Sequence, residues 1–144
     1  MRKSYYMDKM TEKLTLHNDV QQIELLAGYI DAIAEAVDID PSTAMSLNLA
    51  LEEAVTNVIL YAYPEGEHGT VDIDTTVVSG VITFVISDSG KPFDPTKQED
   101  ADVTLSAEER PIGGLGIFLV KQIMDTVDYV YKDGHNILTI SKKL

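Results

Sequence analysis

Residues 81–94, with the sequence VITFVISDSGKPFD, decide the fold of this chain. The run VITFVI is apolar on both faces, which predicts a central strand, and the DSGKPFD segment after it predicts a turn. A second glycine-bearing segment, GGLG at residues 113–116, directly precedes a run of helical periodicity at residues 117–124. A helix that is opened by glycines offers free N–H groups to a phosphate. The two segments together predict a phosphate-containing ligand.

The span between these two segments is polar and has no clear periodicity. Residues 96–112 contain five acidic side chains, which are opposed only by Lys97 and Arg110. A loop of this length inside a small domain is usually a lid or a binding loop. We therefore expect residues 96–112 to form a lid that closes over the ligand.

The segments that flank this region extend the sheet. Residues 71–77 alternate apolar and polar side chains, and a Ser-Gly turn joins them to the central strand as a hairpin. Two closing strands, at residues 128–132 and 137–141, flank an Asp-Gly turn, and residues 12–17 alternate as a first strand. The sequence therefore predicts a sheet built mainly of hairpins.

Two helices are predicted between the first strand and the hairpin. Apolar residues recur at helical spacing from residue 20 to residue 37. A second helix spans residues 42–61, with Asp40 as its cap and Pro41 suited to its first position. Helices and hairpins in this order predict an α+β fold, a two-layer α/β sandwich with helices on one face of a mixed, mostly antiparallel sheet. The length of 144 residues fits one domain over residues 1–144.

Composition restricts the class of function. The net charge of −13 repels nucleic acid and anionic membranes, so neither is an expected partner. The chain has no cysteine, which excludes disulfides and thiolate metal sites, and its three histidines lack ligand spacing. No stretch has the length of a transmembrane helix or the apolar core of a signal peptide, so we expect a cytoplasmic protein.

Three groups of residues could carry chemistry. Glu53 and Asn57 are four residues apart, so they lie one turn from each other on one helix face, where a base and a Mg²⁺ ligand are possible. A solvated helix face would show the same spacing. Asp88 could accept a hydrogen bond from an exocyclic amine, or it could simply open a turn. The glycines at 113–116 could approach a phosphate, or they could form a flexible hinge.

The three segments, taken in this order, resemble a known superfamily. LEEAVTN at residues 51–57 looks like the N-box of the Bergerat-fold ATPases, which include gyrase, heat-shock chaperones and sensor histidine kinases. DSGKPFD at 88–94 looks like the first glycine box, and GGLG at 113–116 looks like the second. The combination EEAVTN, DSGKPFD and RPIGGLGI most closely resembles the anti-sigma-factor serine kinases of bacteria.

This resemblance implies roles for individual residues. Asn57 would bind Mg²⁺ that bridges the phosphates of ATP, and Glu53 would be the general base that activates a partner's serine hydroxyl. Asp88 would accept a hydrogen bond from the adenine amine, and Thr139 would support the adenine site through water. The resemblance assigns the remaining nucleotide contacts to the two glycine boxes: Gly90, Phe93, Gly113, Gly114, Leu115 and Gly116.

The resemblance also implies a function. The protein would be an ATP-binding anti-sigma regulatory factor that phosphorylates a serine of an anti-sigma-factor antagonist, with a sigma factor as its other partner and a homodimer as a possible state. Some family members have an arginine directly before the second glycine box, where this chain has Ile112, and Arg110 lies two residues further back. This departure and the acidic lid leave open a non-catalytic ATP-dependent binding module. A detached catalytic domain of a sensor histidine kinase is a third alternative.

Overall fold

The computed structural model describes residues 9–97 and 114–144. Within them, five strands form one sheet in the order β1-β2-β3-β5-β4, and every pairing is antiparallel. The elements in chain order are β1 (Lys9–His17), α1 (Leu25–Val37), α2 (Pro41–Asn57), β2 (Thr70–Val78), β3 (Val81–Asp88), α3 (Gly114–Ile123), β4 (Thr126–Lys132) and β5 (His135–Lys143). The predicted α+β fold is confirmed, and β3 is central as its apolar sequence indicated. Residues 98–112 of the predicted lid lie outside the described residues.

Tight turns fix the pairing of the strands. Ser79 and Gly80 both have positive φ, at 49° and 78°, and so do Asp133 and Gly134, at 53° and 81°. Two consecutive residues with positive φ are the signature of the two-residue hairpin turn that matches the twist of paired strands. The resulting register places Asp88, the last residue of β3, opposite the first inward residues of β2 and β5.

The core lies on one face of the sheet. Ile82, Phe84 and Ile86 of β3 are buried, while the residues between them are only partly buried. All three helices contribute buried side chains to the same cluster, including Leu26, Leu51 and Ile117. The helices therefore cover the inner face, and the outer face carries polar side chains together with the partly buried Val81, Val85 and Ile137. In the described part of the chain, no helix is long and apolar enough to cross a membrane.

The second helix begins as predicted but ends differently. Asp40 caps α2 by accepting a hydrogen bond from the backbone N–H of Thr43 at 3.0 Å. The α-helical pattern stops at Asn57, and residues Val58–Ala62 form a widened π-helical turn. Such turns occur frequently at functional sites, because the extra residue redirects the side chains around it. The predicted helix over 42–61 is therefore correct in position but not in its last turn.

Candidate functional site

A cleft lies between the end of α2 and the adjacent ends of β3 and β5. The free space inside it is small, about 10 Å³, which is enough for about one water molecule. Its walls are apolar, formed by residues that include Ala54, Ile86 and Leu138. Two polar side chains predicted from the sequence, Asn57 and Asp88, line it together. A flat base would enter this narrow cleft only if its walls moved apart.

Asn57 is buried, and only 1% of the residue is exposed. Neither its Oδ1 nor its Nδ2 has a hydrogen bond to any of the described residues. A buried polar atom without a partner costs about 1–3 kcal/mol, and such atoms are rare in native proteins. The solvated-face alternative is therefore wrong for Asn57. Both ends of its amide are available to a ligand in the cleft.

Asp88 is buried at the end of β3, with 3% of its surface exposed. Its Oδ1 accepts hydrogen bonds from the Gly90 backbone N–H and from Asn136 Nδ2, both at 2.9 Å. Among the described residues, no hydrogen bond reaches Oδ2. Burial raises the pKa of the Asp88 carboxyl, and the hydrogen bonds from Asn136 and Gly90 oppose that rise. The carboxylate is thus held on one side and open to a donor on the other.

Asn136 is a site residue that sequence reasoning missed. It is 4% exposed and donates from Nδ2 to Asp88 Oδ1 and to the Lys91 carbonyl oxygen, at 2.9 and 2.8 Å. Its Oδ1 accepts from the Phe93 backbone N–H at 2.9 Å and from the Tyr129 hydroxyl. The sequence signal that could have identified Asn136 is a polar residue at an inward-facing position of β5. Its four bonds join β3, the loop after β3, β4 and β5.

Gly90 and Phe93 hold the loop after β3 against the π-helical turn. A Cβ on Gly90 would lie 2.3 Å from the Ala62 carbonyl oxygen, so this position requires glycine. The next residue, Lys91, donates its backbone N–H to that oxygen at 2.8 Å. The Phe93 ring stacks on Tyr61 with centroids 5.2 Å apart, and Phe93 also lines the cleft. The close contact that glycine permits at position 90 is therefore with the Ala62 backbone of the same chain.

Glu53 lies one helical turn before Asn57 and does not line the cleft. Its side chain is half-buried. Burial raises the pKa of the Glu53 carboxyl, and the neighbouring Glu52 charge raises it further. A carboxyl whose pKa is shifted toward neutrality is a better general base near pH 7.

Thr139 is not part of the cleft, so the sequence prediction of its place beside the adenine site was wrong. It pairs with Val85 of β3 and Asp128 of β4, whereas Asp88 pairs with Asn136. Side chains alternate between the faces of a sheet, so Thr139 lies on the outer face, away from Asp88. Asn136 holds Asp88 directly on the inner face.

The second glycine box is described only in part. Gly113 lies outside the described residues, and Gly114 begins α3, so Leu115 and Gly116 belong to its first turn. This helix packs against α2, and its N-terminus carries backbone N–H groups that suit an anion. In residues 9–97 and 114–144, no group of three or more His, Cys, Asp or Glu side chains could hold a metal ion.

Comparisons with known proteins agree with this geometry. The sequence model of the histidine kinase-like ATPase domain family matches residues 16–142. The serine-protein kinase RsbW of Listeria monocytogenes is 30% identical over 138 residues, which cover 92% of this chain and 88% of that protein. The serine/threonine-protein kinase BtrW of Bordetella bronchiseptica is 26% identical over 96 residues, 67% of this chain and 68% of that protein.

A solved structure shares the fold. The crystal structure of the RsbU and RsbW domains of a Mycobacterium tuberculosis protein superposes with a TM-score of 0.67 at 12% identity. The match covers 94% of this chain and 32% of that one. The resemblance drawn from the three sequence boxes is thereby confirmed. With a family match over most of its length, this chain belongs to the histidine kinase-like ATPase domain family, alongside the RsbW serine-protein kinases.

Proposed function

We propose that this protein is an ATP-binding anti-sigma regulatory factor with protein-serine kinase activity. One observation carries the proposal: the unpaired, buried amide of Asn57 faces the same cleft as the buried carboxylate of Asp88. Polar groups in this state need a ligand to complete their hydrogen bonds. The kinship with serine-protein kinases supports the choice of ATP and of a serine acceptor.

The adenine base would occupy the cleft, whose walls would move apart to admit it. Its exocyclic amine would donate to Asp88 Oδ2, because Asn136 and Gly90 already hold Oδ1. The apolar walls would cover the two faces of the ring. The phosphates would then extend toward the first turn of α3, where the backbone N–H groups of residues 114–116 are free to bind them. Gly113 would complete that contact.

Asn57 would bind Mg²⁺ through its Oδ1. Mg²⁺ usually takes one or two protein oxygens and fills its other positions with phosphate and water, so the absence of an acidic cluster in the described residues is compatible with this site. The ion would supply positive charge to the phosphates, which an acidic chain needs. The amide Nδ2 would remain available for a second hydrogen bond to a water or a phosphate oxygen.

Glu53 would act as the general base. Its carboxylate would take the proton of the partner's serine hydroxyl as that oxygen attacks the γ-phosphorus and the bond to the ADP leaving group breaks. Only the ionised carboxylate can do this. Because burial and Glu52 raise the pKa of Glu53, the transfer rate should fall on acidification at a higher pH than for an exposed glutamate.

The expected partners are a sigma factor and an anti-sigma-factor antagonist that carries the acceptor serine. A cytoplasmic location, a single domain over residues 1–144 and a homodimer belong to the same proposal. The net charge of −13 supports a protein partner rather than nucleic acid or a membrane.

A nucleotide titration with and without Mg²⁺, followed by a transfer assay with labelled ATP and the antagonist, tests the proposal. We expect label on a serine, no label with Glu53→Gln, and nearly unchanged ATP affinity for that variant. ATP binding without transfer would favour the non-catalytic module, and label on a histidine would favour the histidine-kinase alternative. The absence of ATP binding would refute the proposal as a whole.

A further inference from the structure

A second cleft lies at the same edge of the sheet as the nucleotide cleft, where β1 ends and β2 begins. Its volume is about 870 Å³, and it is open to solvent. Its walls come from residues 17–20, Gln22, Ile59 and residues 63–69. The two clefts have no lining residue in common, so the second cleft has no part in the nucleotide site proposed above.

The walls of this second cleft are fixed to each other by one asparagine. The Asn18 backbone N–H donates to the Gly69 carbonyl oxygen at 3.1 Å, and the Gly69 N–H donates to Asn18 Oδ1 at 3.0 Å. Asn18 Nδ2 also donates to the Glu67 carbonyl oxygen at 2.6 Å. Three hydrogen bonds from one residue hold the α2–β2 loop in place. A cleft that is fixed before binding costs its ligand less ordering entropy.

The lining of the second cleft is acidic on one side and apolar on the other. Its acidic side chains are Asp19, Glu65 and Glu67, and His17 and His68 also line it, whereas no lysine or arginine does. Glu65 and Glu67 are exposed, and their carboxylates have no hydrogen bond or ion pair within the described part of the chain. The apolar part includes Val20, which is 54% exposed, and the buried side chain of Tyr63.

We propose that this second cleft docks a segment of a protein partner in which lysine or arginine side chains alternate with apolar ones. The unpaired carboxylates of Glu65 and Glu67 would bind the cationic groups, and Val20 would contact the apolar side chains. A nucleic acid carries the wrong charge for this lining. A metal ion alone does not fit, because no group of three His, Cys, Asp or Glu side chains in the described residues is placed to hold one.

Tyr63 places this docking site next to the nucleotide site. Its side chain lines the second cleft. Its hydroxyl donates to the Thr70 carbonyl oxygen at 2.7 Å and accepts from the Ser89 backbone N–H at 3.0 Å. Ser89 directly follows Asp88. A partner segment in the second cleft would therefore lie one side chain away from the loop that frames the base.

Backbone amide NMR of the full chain, without nucleotide, tests the inference with a short peptide of alternating lysine and leucine as the probe. We expect saturable shifts confined to residues 17–22, residues 63–69 and the neighbouring Ser89, and none with a peptide that has glutamate for lysine. Because no nucleotide is present, the outcome does not depend on ATP binding. Shifts spread over the whole acidic surface, or no saturable shift, would overturn the inference.

The variant Glu65→Gln/Glu67→Gln measures the contribution of the two carboxylates. Exposed ion pairs contribute about 0.2–1 kcal/mol each, which corresponds to a loss in peptide affinity of about 1.5- to 5-fold per carboxylate. The matched control is Asp31→Asn/Glu35→Gln, which removes the same charge from the exposed surface of α1. Equal loss in both variants would show a general charge effect and reject the site.

Discussion

Replacing Asn136 with alanine should weaken both the fold and the nucleotide cleft. The change removes four hydrogen bonds, two donated by Nδ2 and two accepted by Oδ1. Each is worth about 0.5–1.5 kcal/mol net, and water that enters at the edge of the sheet would replace part of them. We therefore expect Asn136→Ala to lower the free energy of unfolding by about 2–4 kcal/mol, measured by urea denaturation.

The same variant should also change Asp88. The hydrogen bond from Asn136 opposes the rise in the pKa of Asp88 that burial causes, so its loss should raise that pKa further and weaken nucleotide binding at a fixed, mildly acidic pH. The control is Lys132→Ala, because Lys132 is an exposed residue of β4 and is not among the groups that shift the pKa of Asp88. We expect the control to stay within about 0.5 kcal/mol of the parent.

Asn136→Asp makes the test sharper because it changes charge with little change in shape. It would place a second carboxyl at the position of the Asn136 amide, 2.9 Å from Asp88 Oδ1. Two carboxyls this close share one proton, so one of the two folded pKa values of the pair lies above the unfolded value. A raised folded pKa means that stability increases as the pH falls through it. Asn136→Asp should thus be less stable than Asn136→Ala at pH 7 and recover on acidification. This account of Asn136 would be refuted if Asn136→Ala lowered the free energy of unfolding by less than about 0.5 kcal/mol. It would also be refuted if the free energy of unfolding of Asn136→Asp did not depend on pH.

Three further outcomes are expected. Gly90→Ala should lower the free energy of unfolding by about 2 kcal/mol or more, measured by heat or urea, because its Cβ would lie 2.3 Å from the Ala62 carbonyl oxygen. Gly28→Ala, at the fourth residue of α1 with no neighbouring atom within 4 Å, should instead stabilise the protein by about 0.5–1 kcal/mol. Equal effects of the two variants would contradict the packing argument. Thr139→Val should change the ATP affinity, measured by calorimetry, by no more than about twofold from the parent, because the Thr139 side chain lies on the outer face. A tenfold loss of affinity would contradict that placement. Glu52→Gln should lower the pKa of Glu53, because it removes a neighbouring like charge. In a steady-state pH profile, the acidic limb of the transfer rate should therefore move to lower pH. A limb that does not move would exclude Glu53 as the general base.

Much of the site was available from the sequence because its signals are local. The apolar alternation around residues 81–88 defines a central strand, and the four-residue spacing of Glu53 and Asn57 requires a shared helix face. The Asp40 cap follows from the same kind of short-range chemistry. Asn57 and Asp88 line the same cleft, and their roles toward a nucleotide stay predictions.

The tertiary structure decided which residues surround Asp88. The partner of Asp88 depends on the register of β3 against β5, and a shift of one residue would exchange Asn136 and the outward side chains between the two faces. The need for glycine at position 90 likewise arises from the Ala62 carbonyl, 28 residues earlier in the chain. Sequence periodicity determines which residues share a face of their own element, whereas contacts between distant segments depend on pairing and packing that no local pattern encodes.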